Sequence, residues 1–191
     1  MKIFVVGQIK SASREFAKRL GEKHNIPVFY EEDIGLQNYE ECKKKWEEEP
    51  EGVFKVALMS HKLPELSQLG DVYWVDRHDR MALYASMKAF NFIGTVWDVL
   101  DDFKKEFPND HIWSKFNRLD EWRYLELCVW SVRLREYFKN KYFKDIKCET
   151  VYLEDQEWFN EKQMVSYIKP LLERGQKVVN ETNLECDKCL L

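Results

Sequence analysis

The chain has 191 residues, 45% of them hydrophobic and 15% aromatic, which is enough to bury one sizeable core. Its formal net charge of −4, with both signs mixed along the chain, excludes the basic excess of a general nucleic-acid binder but not a local basic pocket. No apolar run approaches the roughly 18 residues of a membrane span, and the five scattered cysteines do not form a disulfide framework.

Lys2–Val6 is a continuous apolar run, the signature of a strand buried on both faces, and it ends at Gly7. It lacks the long apolar region and small-residue cleavage site of a signal peptide, so a cytoplasmic location is expected. Ser11–Leu20 places Phe16, Ala17 and Leu20 on one helical face. A short strand is predicted at Ile26–Tyr30, a solvated helix at Tyr39–Glu49 and a third apolar strand at Val53–Met59. Pro64–Leu69 reads as a short helix or turn, and Asp71–Val75 as a fourth strand. Arg80–Ile93 carries Leu83, Met87 and Phe90 at helical spacing. Residues 95–140 read as a largely helical insertion with a loop near Pro108–His111. A last strand is predicted at Glu149–Leu153 and a closing helix at Glu161–Leu172.

Strands alternate with helices, which predicts an α/β protein with a parallel sheet of four to five strands covered by helices on both faces. The expected organisation is one domain over residues 1–180 and a tail over 181–191. The tail holds Cys186 and Cys189, a lone CxxC that supplies at most two of the four ligands of a structural zinc. Sheets of this kind bind ligands beyond the carboxyl ends of their strands, so the residues after each strand carry the functional question.

After the first strand stands Gly7-Gln8-Ile9-Lys10-Ser11-Ala12-Ser13-Arg14. A strand, a tight turn and a helix start follow in order. A helix N-terminus offers free N–H groups and a positive dipole end to an anion. Lys10 and Arg14 add charge, while Ser11 and Ser13 add hydroxyls that also suit a helix cap without any ligand. The pattern GxxxxGK[ST] is absent: Ala12 and Ser13 stand where its second Gly and its Lys would be.

After the fourth strand, Arg77 and Asp79 are followed by Ser86 about two turns into a helix. After the third, Ser60-His61-Lys62-Leu63-Pro64 puts a histidine where a general base would face a site. The acidic run Glu31-Glu32-Asp33 after the second strand is its rival. Trp113, Trp122, Tyr124 and Trp130 suit either an acceptor pocket or, at their helical spacing, a core.

These segments, in this order, resemble the PAPS-dependent sulfotransferases, with a P-loop-like α/β fold and a likeness to their bacterial branch. Lys10-Ser11-Ala12-Ser13-Arg14 is similar to the 5′-phosphosulfate loop, departing from it at Ala12 and Arg14. Arg77 and Ser86 resemble the Arg and Ser that hold the 3′-phosphate, and Ser60-His61-Lys62-Leu63-Pro64 is similar to the segment that carries the family's base. Tyr152-Leu153-Glu154-Asp155 resembles a late strand end of the family, and Arg174-Gly175-Gln176-Lys177 a late 3′-phosphate segment.

The resemblance implies transfer of a sulfuryl group from PAPS to a small-molecule hydroxyl or amine acceptor, with PAP as product. It implies His61 and Lys10 as catalytic, and Lys10, Ser11, Ala12, Ser13, Arg14, Arg77 and Ser86 as cofactor-binding. The mechanism it implies needs no metal, and the charge and hydropathy given above lead to the expectation of no nucleic-acid or membrane partner. Two other readings stand beside it: a nucleotide or nucleoside kinase with a degenerate P-loop, and a non-catalytic binding protein on the same fold.

Overall fold

The computed structural model describes residues 1–8, 11–31, 39–80, 83, 87, 93–116 and 124–159. They fall into two compact units. The first holds Met1–His78 and Phe143–Gln156; the second runs from Asp79 to Tyr142 and takes up the chain again at Glu157.

The first unit is a five-stranded parallel sheet: β1 (Lys2–Gly7), β2 (Val28–Tyr30), β3 (Gly52–Lys55), β4 (Asp71–Asp76) and β5 (Glu149–Tyr152). The strand order is β2-β3-β1-β4-β5. β1 is central, and its Ile3–Val6 stretch is almost fully buried, as the unbroken apolar run requires. Alternation along the strands sends residues to two covered faces. On one, Phe4, Phe54 and Phe29 lie in register and stack, with centroids 5.4 and 5.1 Å apart. Trp46 of α2 (Tyr39–Glu48) meets Phe4 edge-on at 5.3 Å. On the other, Phe16 of α1 (Ser13–His24) lies 5.7 Å from Tyr73, the register partner of Val5. Helices therefore cover both faces.

Helix α1 stops where Asn25 enters the left-handed region (φ 54°) and the Ile26 N–H reaches back to the Gly21 carbonyl at 3.1 Å. Helix α2 departs from the solvated helix expected of it. Cys42 and Trp46, four residues apart, form a narrow apolar stripe that is fully buried. The third strand also departs from expectation. It ends at Lys55, not Met59, and residues 57–62 form a 3-10 turn that leads into α3 (Leu63–Leu69). The cause is Glu31, which pairs with Lys55 at 2.6 Å and accepts the Leu58 N–H at 3.1 Å, so the backbone folds around its carboxylate.

In the second unit the described helices are α4 (Ile93–Glu106), α5 (Ile112–Phe116) and α6 (Tyr124–Tyr142), with α4 packed on α6. The break falls at Phe107–His111, as the Pro108 signal predicts. Phe103, Phe107, Trp113, Phe138 and Tyr142 form one aromatic cluster, so Trp113 is core. Trp130 is also buried. Leu83 and Met87 are helical and fully buried, as their spacing predicts. Trp122, the closing helix and the cysteine pair lie outside the described residues. Among those described, no helix is long and apolar enough to cross a membrane.

Candidate functional site

The chain leaves β1 toward β2 on one side and crosses from β3 to β4 on the other, so the topological switch point lies between β1 and β4. Gly7 ends β1 there. Its φ is 134°, and a Cβ would stand 2.1 Å from the Val75 carbonyl oxygen of β4, so only glycine fits. The Gln8 N–H then donates to the same carbonyl at 3.1 Å, fastening the start of the turn to β4.

The turn closes on itself. Ser11 donates to the Gln8 carbonyl through its hydroxyl at 2.7 Å and its backbone N–H at 3.3 Å, and its side chain is fully buried. Ala12 is left-handed (φ 56°, ψ 28°) and caps α1 without a side-chain hydrogen bond. Its carbonyl accepts the Phe16 N–H at 3.1 Å. The first N–H groups of a helix have no partner within it, so the start of α1 presents donors and a positive dipole end at the switch point. Ser13 is buried beside it. Arg14 is exposed, with its guanidinium carbon 4.2 Å above the Tyr30 ring. The structure thus brings Ser11, Ala12, Ser13 and Arg14 onto one turn; Lys10 lies outside the described residues, as do Ser86, Arg174 and Lys177.

Beyond β4 the arrangement is different. Arg77 is buried, its N–H donates to Asp76 Oδ1 at 2.8 Å, and its Nε meets Glu154 Oε1 at 3.2 Å. The other Glu154 oxygen accepts the His78 N–H at 3.0 Å. Glu154 sits in a 3-10 turn, Leu153–Asp155, just past β5. The Glu154 carboxylate therefore takes both the Arg77 guanidinium and the His78 N–H. His78 lies flat on Tyr152, and its Nε2 is 3.1 Å from an Asp155 oxygen. Glu154 and Asp155 belong to the strand end Tyr152–Asp155 singled out in the sequence, whereas His78 stands in none of its candidate roles. The signal available was that strand end itself, because β5 runs parallel beside β4 and delivers its next residues to Arg77 and His78.

His61 lies in the 3-10 turn beyond β3 and is only 7% exposed. Lys62 beside it is 3.5 Å from Glu65 and 5.2 Å above the Tyr39 ring. Glu31, the rival base, is buried in its ion pair with Lys55. Glu32 and Asp33 lie outside the described residues. Burial, reinforced by the charges of Glu31 and Glu41, pushes the Cys42 thiol up to about 12, which keeps it protonated and unreactive. Among the described residues, no group of three or more His, Cys, Asp or Glu side chains is placed to hold a metal ion. A cleft of about 640 Å³ opens among Lys2, Gly70, Tyr73 and Lys147. It lies at the amino-terminal edge of the strands and carries none of the residues above.

No protein-family model matches this chain, and no curated protein or solved structure matches it.

Proposed function

We propose that this protein binds a phosphoadenosine nucleotide at the switch point and transfers a sulfuryl group from PAPS to a hydroxyl or amine acceptor. The observation that carries the reading is the turn from Gly7 to Ser13. A glycine that admits no side chain, two buried serines and a left-handed Ala12 aim the start of α1 at the crevice between β1 and β4. That helix N-terminus suits a phosphosulfate group, with Ser11 bracing the turn through its bond to the Gln8 carbonyl.

In this reading the turn, with Lys10 and Arg14, takes the 5′-phosphosulfate. Arg77 takes the 3′-phosphate. Glu154 leaves Arg77 when that phosphate arrives, since one anion replaces another on the same guanidinium. Lys10 and the α1 amides offset charge on the phosphate oxygen as the sulfur–oxygen bond breaks, a role that calls for no metal. A base at the carboxyl edge takes the acceptor's proton; His61 is the candidate that the family resemblance offers.

A thermal-shift comparison with PAP, PAPS and ATP plus magnesium tests this. PAP and PAPS are expected to raise the melting temperature, and the exposed Arg14→Ala variant to weaken PAP binding by roughly ten-fold, or about 1.5 kcal/mol. Stabilisation by magnesium–ATP alone would favour a kinase, against which the missing GK[ST] already speaks. No response to any of the three would leave a non-catalytic binding protein.

A further inference from the structure

We infer that Glu154 is a built-in competitor of the nucleotide's 3′-phosphate: it holds Arg77 and the His78 N–H until the phosphate displaces it, and so sets how tightly the phosphate binds. The inference rests on the reading just given, and it adds the His78 N–H as a phosphate donor. Arg77 and His78 follow β4 directly, and Glu154 follows β5, the strand paired with it. The Arg77 Nε–H donates to Glu154 Oε1 at 3.2 Å and the His78 N–H to Oε2 at 3.0 Å. The two donors thus converge on the two oxygens of one carboxylate. A phosphate also offers acceptor oxygens side by side on one centre, so it suits the same pair. It brings about two charges near neutral pH against the single charge of the carboxylate, so the exchange favours the phosphate.

Burial decides that the carboxylate must leave. The Arg77 side chain is 1% exposed, so no ligand reaches its guanidinium in this arrangement, whereas Glu154 is 18% exposed and can swing outward. The turn that carries Glu154 has other anchors. Leu153 is buried and its carbonyl accepts the Gln156 N–H at 3.1 Å. The His78 ring lies on Tyr152 with centroids 3.9 Å apart, and His78 Nε2 is 3.1 Å from an Asp155 oxygen. Rotation of one side chain therefore releases Arg77 and the His78 N–H while the backbone stays where it is. The same carboxylate protects the fold. A buried guanidinium without a counter-charge is strongly destabilising, and Glu154 supplies that charge before the phosphate arrives. The consequence is weaker binding, because only the fraction of molecules with Glu154 swung out is competent for the 3′-phosphate. A nucleotide that lacks this phosphate leaves Glu154 in place and escapes the competition.

The test measures binding of PAP and of adenosine 5′-phosphate to the full chain by titration calorimetry, in the wild type and in Glu154→Gln, which keeps the shape and removes the charge. PAP is expected to bind the variant about ten-fold more tightly, and adenosine 5′-phosphate to bind both proteins equally. Nitrogen-15 NMR of the wild type gives a check that needs no variant to fold. PAP is expected to shift the His78 N–H and Arg77 Nε–H resonances, and adenosine 5′-phosphate to leave both in place. A wild type that binds PAP, with a variant that binds it no more tightly, overturns the inference and leaves the nucleotide reading standing. So do equal gains for the two nucleotides, which would mark a long-range effect of the lost charge, and so do the two resonances unmoved by bound PAP. A wild type that does not bind PAP overturns the nucleotide reading, and this inference with it.

Discussion

Ala12 is the residue on which the candidate turn is least comfortable. An L-residue in the left-handed region is strained by roughly 1 kcal/mol, because its Cβ crowds the following carbonyl. Glycine escapes that strain but loses more entropy on folding. The strain is the larger effect at φ 56°, so Ala12→Gly is expected to raise the unfolding free energy by about 0.5–1 kcal/mol. A shift of the urea midpoint to higher concentration at constant slope checks it; a midpoint that falls would mean that the methyl group packs usefully. At this scale the sequence was half legible. Ser11, Ser13 and Arg14 follow a strand and open a helix, and that order alone marks the turn. The strand end that carries Glu154 stood out, but its capture of Arg77 was not legible, because the partners are 77 positions apart and only the sheet order brings them together.

The helix α2 shows at the scale of an element why composition misleads. Tyr39–Glu48 is mostly charged, yet two residues one turn apart are fully buried, a thiol and an indole, the indole against Phe4 of β1. The consequence is a pH dependence. The Cys42 thiol is raised from 9.0 to about 12, first by burial and then by Glu31 and Glu41. Below pH 9 folded and unfolded chains both keep the proton, so the thiol leaves stability unchanged. Between 9 and 12 the unfolded chain releases a proton that the folded one keeps, and stability falls as pH rises. The urea midpoint is therefore expected to drop between pH 8 and 10, and to drop less in Cys42→Ala; equal slopes in the two proteins would remove the thiol as the cause. Iodoacetamide at pH 8 is expected to leave Cys42 unmodified until the chain unfolds. The third strand failed in the opposite direction. Val53–Met59 is apolar enough for a strand, but periodicity cannot distinguish a strand from a buried 3-10 turn when a distant carboxylate, here Glu31, holds the bend.

Across the whole chain, the alternation of strands and helices announced a parallel sheet, whereas the order β2-β3-β1-β4-β5 had no counterpart in a single sequence. Crossover lengths permit several orders, and the choice lies in long-range packing. The second unit depends in the same way on one residue whose partners the sequence scatters. The Asp110 carboxylate is fully enclosed and accepts from the Ile112 N–H at 2.9 Å, Tyr137 at 3.1 Å, Lys141 at 2.8 Å and Tyr142 at 2.7 Å. Burial alone would raise its pKa, but the hydrogen bonds from Lys141, Ile112, Tyr142 and Tyr137 outweigh burial and hold the carboxyl well below its usual range. The Asp110 bond also holds Lys141 above its own usual range. A lowered carboxylate pKa contributes stability that is fully present above about pH 4 and is lost as pH falls further. Asp110→Asn keeps the shape and removes the charge, leaving an ammonium and two phenols against a neutral amide. It is expected to cost about 3 kcal/mol at pH 7 and progressively less as the pH approaches 3. Circular dichroism of wild type and variant in urea at pH 7, 5 and 3 would show this convergence. Curves equally far apart at all three values would mean that Asp110 acts through shape and its bond to the start of α5, and that the charge contributes nothing.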